Sequence, residues 1–267
     1  MLTVTARPRS PRLLPFIKSF HYHEANLPMG LERIVPNGQA HLMVNLAEDE
    51  FRTYDRANPA LKIRHSGAVL AGPHAQSLIL DTRQMHWLAA VQFRPGGAGH
   101  FLASPASEAC NHVVNLDAIW IATSMREQLL DAPTPQARFD VLENLLLRHL
   151  DDSFDPAIAW AIGALERGMR VAKVAARLGM LPRKFERRFT NRVGLTPKRY
   201  ARVRRLQGVL KSIRTSAPPD WSMLAAKHGY HDQSHLVHDF RELADITPSG
   251  YKPHSAARNN HIPIVAQ

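Results

Sequence analysis

One stretch of this chain is written twice, and that repetition restricts the possible folds more than any other feature. The first copy runs Val171-Ala-Lys-Val-Ala-Ala-Arg-Leu-Gly-Met180, followed by Phe185, Phe189, Thr196-Pro197 and Tyr200. The second runs Trp221-Ser-Met-Leu-Ala-Ala-Lys-His-Gly-Tyr230, followed by Leu236, Phe240, Thr247-Pro248 and Tyr251. The offset is 50 residues up to Gly229 and 51 beyond it, so one extra residue sits in the second turn. Each copy reads as a short apolar helix, a Gly, a turn, an amphipathic helix and a Thr-Pro helix start. That is the grammar of a helix-turn-helix, and two in tandem predict a reader of double-stranded DNA.

Individual positions fit this grammar. Val171, Val174, Ala175 and Leu178 share one face at helical spacing. Ala175 and its repeat mate Ala225 are small where a second helix must cross closely. Gly179 and Gly229 stand where the chain leaves the first helix, a left-handed position that suits Gly. Pro182 suits a first helical turn, and Asp232 is the N-cap candidate in the other copy. Phe185 with Phe189, and Leu236 with Phe240, are spaced to pack back on the first helix of each unit. The outward positions are Arg183, Glu186, Arg187 and Thr190 in one unit, and Gln233, Ser234, Val237 and His238 in the other. Such positions meet base edges in a major groove.

Charge points the same way. The chain carries a formal net charge of +11. Between residues 171 and 214 bases crowd together, Arg202, Arg204 and Arg205 among them, against Glu186 as the one acid. A field of this kind attracts phosphate in a salt-dependent way. Lys184, Arg188, Arg192, Lys198, Arg199 and His235 are the phosphate-contact candidates. The second unit is poorer in cations, with Arg241 against Asp239 and Glu242. Residues Pro197 to Ile213 read as one continuous helix joining the units, and Ser216 to Asp220 should break it.

Residues 155–252, and above all Gly229 to Phe240 followed by Ile246-Thr-Pro-Ser-Gly-Tyr251, resemble the DNA-binding domain of the AraC/XylS family of bacterial transcription regulators. One departure is Asp245, where the family has Gly and where the first copy keeps Gly194. The resemblance implies that Arg183, Glu186 and Arg187 face bases. It also implies a cytoplasmic regulator or activator with an N-terminal sensor or dimerisation domain, working as a homodimer, with a small-molecule effector and RNA polymerase as partners.

In the N-terminal half, short apolar runs near residues 33–35, 41–46, 68–71, 77–80 and 87–93 alternate with turns such as Pro36-Asn-Gly38 and Arg94-Pro-Gly-Gly97. They predict strands. From about 116 to 150 the period becomes helical, with Phe139, Leu142, Leu145 and Leu146 on one face. That stripe suits either the core of its own domain or a second chain, and a shared face is favoured. The fold class is therefore α+β: a β-rich, barrel-like domain with a helical arm over 1–150, then an all-α domain over 155–252. Residues 253–267 show no periodicity and predict a loose tail. The pattern resembles the β-barrel sensor and helical arm of many AraC-type proteins. Pro36-Asn-Gly38 and Phe93-Arg-Pro-Gly-Gly-Ala98 look like a subgroup whose sensor has no assigned ligand.

Other chemistry finds little support. No run of 18 apolar residues suggests a membrane span, and no signal peptide opens the chain. The lone Cys110 excludes an internal disulfide and suits the cytoplasm. His21-Tyr-His23-Glu24 would set two imidazoles on one strand face, but lacks the wider spacing of a cupin metal site. His228, His231, His235 and His238 lack the Glu of a zincin motif and read as turn, phosphate or groove residues. No catalytic constellation, cofactor motif or metal site is expected. The rival reading is a metal-binding or enzymatic β-barrel fused to a DNA-binding module.

Overall fold

The computed structural model describes residues 2–25, 30–120, 124–213, 219–255 and 258–264. Its N-terminal strands are β1 (Leu2–Ala6), β2 (Ile17–Glu24), β3 (Leu31–Ile34), β4 (His41–Asn45), β5 (Glu50–Tyr54), β6 (Lys62–Ser66), β7 (Ala68–Ala71), β8 (Leu78–Asp81), β9 (Trp87–Phe93) and β10 (Val113–Asn115). A last strand, β11 (His261–Pro263), comes from the far end of the chain. Strands fall at all five sites with apolar runs, while β1, β2, β5 and β6 carry patterns too mixed to stand out.

The strands form two antiparallel sheets, ordered β1-β2-β9-β4-β7-β10 and β11-β3-β8-β5-β6, rather than one closed barrel. The reason is that the six-stranded sheet has both faces covered. On one face Phe20, Tyr22, Leu42 and Val44 meet Phe139, Leu142 and Leu146 of a helix. On the other, Val69, Leu88 and Ala90 meet Phe51 of the second sheet. A sheet sandwiched between two layers has no apolar face left to enclose within itself.

The helical layer is α1 (Met125–Asp131) and α2 (Pro135–His149). Thr134 caps α2 by accepting a hydrogen bond from the Ala137 amide, with Pro135 in the first turn. The apolar stripe expected to be shared with a second chain is buried in its own domain. Phe139 is 1% exposed and stacks on Phe20 at 5.8 Å, and Leu142 and Leu146 are fully buried. The sheet beneath supplies the apolar surface that the periodicity of a lone helix leaves unspecified.

The C-terminal domain comprises α3 (Pro156–Glu166), α4 (Val171–Arg177), α5 (Pro182–Val193), α6 (Pro197–Ser212), α7 (Trp221–Lys227) and α8 (Gln233–Ala244). Asp155 caps α3, a helix the repeat did not announce. Thr196, Asp220 and Asp232 cap α6, α7 and α8 through amides three residues ahead. The expected break after α6 lies largely outside the described residues, which resume at Pro219. Phe185, Phe189, Tyr200, Leu236 and Phe240 are fully buried in one core, with Ala175 and Ala225 at the helix crossings. Gly179 and Gly229 adopt φ of +61° and +72°.

The two domains share that core. Val35 and Ala75 of the N-terminal domain and Ile262 of the tail are buried in it. The Pro36-Asn-Gly38 turn docks on α6: buried Gln207 donates to the Pro36 carbonyl at 2.8 Å, and Arg204 to that of Asn37 at 3.3 Å. The tail, expected to be loose, instead pairs β11 antiparallel to β3. There His254, Arg258 and His261 surround Glu32, which is 1% exposed, at 2.8, 3.1 and 2.6 Å. A buried carboxylate needs such partners, and the Arg258 guanidinium and the two imidazoles of the tail supply them. Burial alone would raise the Glu32 pKa, but the His261 contact and the neighbouring cations bring it below the usual value.

Candidate nucleic-acid interface

The helices α5 and α8 are the second helices of the two units. Their buried faces hold Phe185, Phe189 and Val193 in one and Leu236, Phe240 and Leu243 in the other. On the opposite face Arg183, Lys184, Glu186 and Arg187 are exposed, and none of them makes an ion pair among the described residues. Gln233, Ser234 and His238 are exposed at the matching places of α8. Between the helices runs α6, sixteen residues and about 24 Å at 1.5 Å per residue.

Not every expected contact residue lies open. Thr190 is half-buried, and its hydroxyl is turned inward with no hydrogen-bond partner among the described residues. Val237 is half-buried. Arg188 pairs with Asp155 at 2.8 Å, and Arg192 donates to the Gly99 carbonyl at 3.1 Å and faces Asp151. His235 packs edge-on against Tyr230, and His238 lies 3.1 Å from Glu242. Lys198 and Arg199 are exposed at the start of α6.

The linker helix changes the charge picture most. Arg202 binds buried Asp239 at 2.6 Å and also pairs with Glu242. Arg205 reaches the same Asp239 and lies over the Tyr230 ring at 4.2 Å. Arg204 pairs with Glu166 at 3.0 Å. These three arginines join helices to one another, so the open cationic field is narrower than the sequence count. Conversely, Arg167, Arg170 and Lys227 are exposed beside the units and were not singled out from sequence. Arg167 and Arg170 have no counterpart in the other copy, so the repeat does not mark them.

The histidine cluster on β2 contacts hydroxyl groups, with His23 Nε2 buried and without a hydrogen-bond partner among the described residues. His21 contacts Ser19 and Thr5 at 2.8 and 3.2 Å, and His23 contacts Thr3 at 2.9 Å. Among the described residues no group of three His, Cys, Asp or Glu side chains is arranged to hold a metal ion. No helix among them is long and apolar enough to cross a membrane.

Comparison with known proteins adds to this geometry. A family model described as a helix-turn-helix domain matches residues 174–253. A second, described as a domain of unknown function, DUF6597, matches residues 5–115. No curated protein matches the chain. Among solved structures, ToxT from Vibrio cholerae O395 bound to (E)-4-(8-methylnaphthalen-1-yl)but-3-enoic acid is 12% identical, with a TM-score of 0.46 over 88% of this chain and 98% of that one. Wild-type ToxT from Vibrio cholerae strain SCE256 bound to an unsaturated fatty acid is 10% identical, with a TM-score of 0.44 over 93% and 94%. Likenesses at that level carry no functional weight beside the family model and the paired helices. Residues 174–253 of this chain therefore form a helix-turn-helix domain of the kind that family model describes.

Proposed function

We propose that the protein is a sequence-specific transcription regulator, non-enzymatic, that reads two successive major-groove segments of double-stranded DNA with α5 and α8. The observation that carries this reading is the pair of exposed polar faces on two equivalent helices, held apart by the unbroken α6. Arg183 and Arg187 are suited to guanine edges and Glu186 to cytosine N4. Gln233 and Ser234 offer hydrogen bonds from the second unit. Lys184, Lys198 and Arg199 are open for phosphate, whereas Arg188 and Arg192 would have to leave their present partners.

The N-terminal domain is read as the sensing or dimerising half, with RNA polymerase as a further partner. Between its sheets, the space lined by Met43, Phe51, Leu80 and Met85 amounts to about 10 Å³, so an effector would bind elsewhere. Homodimerisation would need a surface other than the buried stripe of α2.

The test is to map genomic binding sites by immunoprecipitation and then titrate the recovered site with Arg187→Ala. The expected loss is about 1–3 kcal/mol, confined to one or two base pairs. An equal loss on random duplex would make Arg187 a phosphate contact, and no site enrichment at all would sink the reading.

A further inference from the structure

A groove of about 900 Å³ lies between the two helix-turn-helix units. Its floor is α6, where Arg202, Arg204 and Arg205 are held by carboxylates. Its rim carries Arg167 and Arg170 from the turn between α3 and α4, Lys198 from α6, and Lys227 from the end of α7. These four are exposed and form no ion pair among the described residues. Glu166, the one acid in the lining, is already engaged by Arg204 and by the Tyr200 hydroxyl at 2.7 Å. The flank toward α8 is formed by His235 and His238. The trough is therefore continuous with the face assigned to base reading.

We propose that this groove seats the DNA phosphate backbone where it passes from one major-groove segment to the next. Arg167, Arg170 and Lys227 are then phosphate contacts. The inference rests on the DNA-reading assignment of α5 and α8. Its chemistry is a row of open cations along a trough whose one acid, Glu166, is already engaged, which suits a polyanion crossing it. Such contacts fix register without reading sequence, and they release counterions on binding.

The test needs no known operator. Full-length protein carrying Arg167→Gln, Arg170→Gln and Lys227→Gln is titrated with a 30-bp random duplex across a salt series, beside wild type and an Arg183→Gln plus Arg187→Gln variant. Unchanged thermal melting verifies the fold. The expected result is a salt slope shallower by about two to three and affinity at least tenfold weaker near 0.1 M salt. A wild-type slope in the triple variant, with weakened binding in the α5 variant, overturns the groove and leaves the reading of α5 and α8 intact. Wild-type protein that binds no duplex overturns that reading itself. Tight binding of free pyrophosphate, abolished in the triple variant without any change on duplex, would assign the groove to a small phosphate ligand instead.

An independent observation carries a second inference, at the ends of the two reading helices. Gly194 and Asp245 are equivalent in the repeat, and both take the left-handed conformation, with φ of +87° and +54°. Both touch the N-terminal domain. A Cβ on Gly194 would come within 2.4 Å of Pro73 Cγ and 2.9 Å of the Ala106 carbonyl. The Asp245 carboxylate accepts from Arg56 at 2.6 and 3.0 Å, from Arg33 at 3.0 Å and from the Ser77 hydroxyl at 2.5 Å. Pro73 and Ser77 lie on the same connection, between β7 and β8, and Ala75 between them is buried in the shared core.

We infer that the segment from Pro73 to Ser77 is a crossbar that sets the two reading helices relative to each other, with Asp245 as its latch on the second unit. Any event that moves this segment would then reach both units at once. The test is amide hydrogen exchange of the full chain with Asp245→Gly, which restores the residue of the first copy, and with Arg56→Gln, which leaves the backbone untouched. Exchange in α8 is expected to quicken about tenfold in both variants, with α5 unchanged. Wild-type exchange of α8 in Arg56→Gln would overturn the latch, as would equal quickening of α5 and α8 with residues 73–77 exchanging as in wild type.

Discussion

The two helix-turn-helix units are written alike, yet they use their charges in opposite directions. Arg188 of the first and Asp239 of the second are repeat mates. Arg188 lies at the surface and pairs with Asp155, whereas Asp239 is fully buried and binds Arg202 and Arg205 of the linker helix. His238 is the mate of Arg187, and Asp245 the mate of Gly194. The first unit keeps Arg183, Lys184 and Arg187 open toward solvent, while the second turns acids inward, onto α6 and the N-terminal domain. The shared apolar frame thus carries two charge arrangements, an open cationic unit and a unit tied to its surroundings; under the proposed function the first would grip DNA and the second discriminate.

The sharpest way to break this comparison is to remove the inward acid. Asp239→Ala removes the buried carboxylate that Arg202 and Arg205 share, leaving Arg202 with Glu242 and Arg205 with no carboxylate among the described residues, and should cost about 3 kcal/mol in urea unfolding. Arg188→Ala, at the mate position, removes a largely exposed pair and should cost no more than about 1 kcal/mol. Equal losses would mean that the two positions are structurally alike after all.

The next contrast concerns the helix ends. Gly194→Ala adds both a left-handed strain and a clash with Pro73, so a loss of about 2–4 kcal/mol is expected by thermal unfolding. Asp245→Ala adds no bulk but loses the Arg56, Arg33 and Ser77 bonds, and its smaller loss should shrink to the Ser77 contribution when Arg33 and Arg56 are already replaced.

A third prediction separates the domains. The contrast between the units lies in Arg, Lys, Asp and Glu, whereas the histidines that burial lowers lie mostly in the N-terminal domain, with His228 after α7 the exception in the two units among the described residues. Burial, with Lys18 adding like charge nearby, holds His41 down to about 4. His21, His74 and His100 are lowered by burial too. A lowered folded-state value means that the unfolded chain binds more protons between the two values. Stability is therefore full above about 6.5 and falls as the pH drops toward 4, by up to about 3 kcal/mol for His41. Hydrogen exchange at pH 7 and pH 5 should show the sheets loosening before α4 to α8. The reverse order would place the acid-sensitive groups in the reading units.

The smallest effect sharpens the comparison from the outer face. Arg183→Ala and Arg187→Ala should change stability by less than about 0.5 kcal/mol, because neither side chain is buried or ion-paired among the described residues. A larger loss would give these arginines a structural role and weaken the case for α5 as the gripping helix.

Much of this architecture is legible in the residues themselves. Apolar spacing and its repetition determined two helix-turn-helix units, the aromatic pairs that close them and the long helix between, because period and small-residue placement are local properties. The outward positions Arg183, Glu186, Arg187, Gln233, Ser234 and His238 follow from the same period. The tertiary structure decided which charges are open. Arg202, Arg204 and Arg205 count toward the cationic field in sequence, yet their partners Asp239 and Glu166 lie on other helices. It likewise decided that the α2 stripe faces its own sheet, that the sheets do not close into a barrel, and that the tail carries Arg258 and two histidines to Glu32. Periodicity states that a face is apolar or a group is charged. What covers that face or pairs that group depends on segments up to 229 residues away, and only packing brings them together.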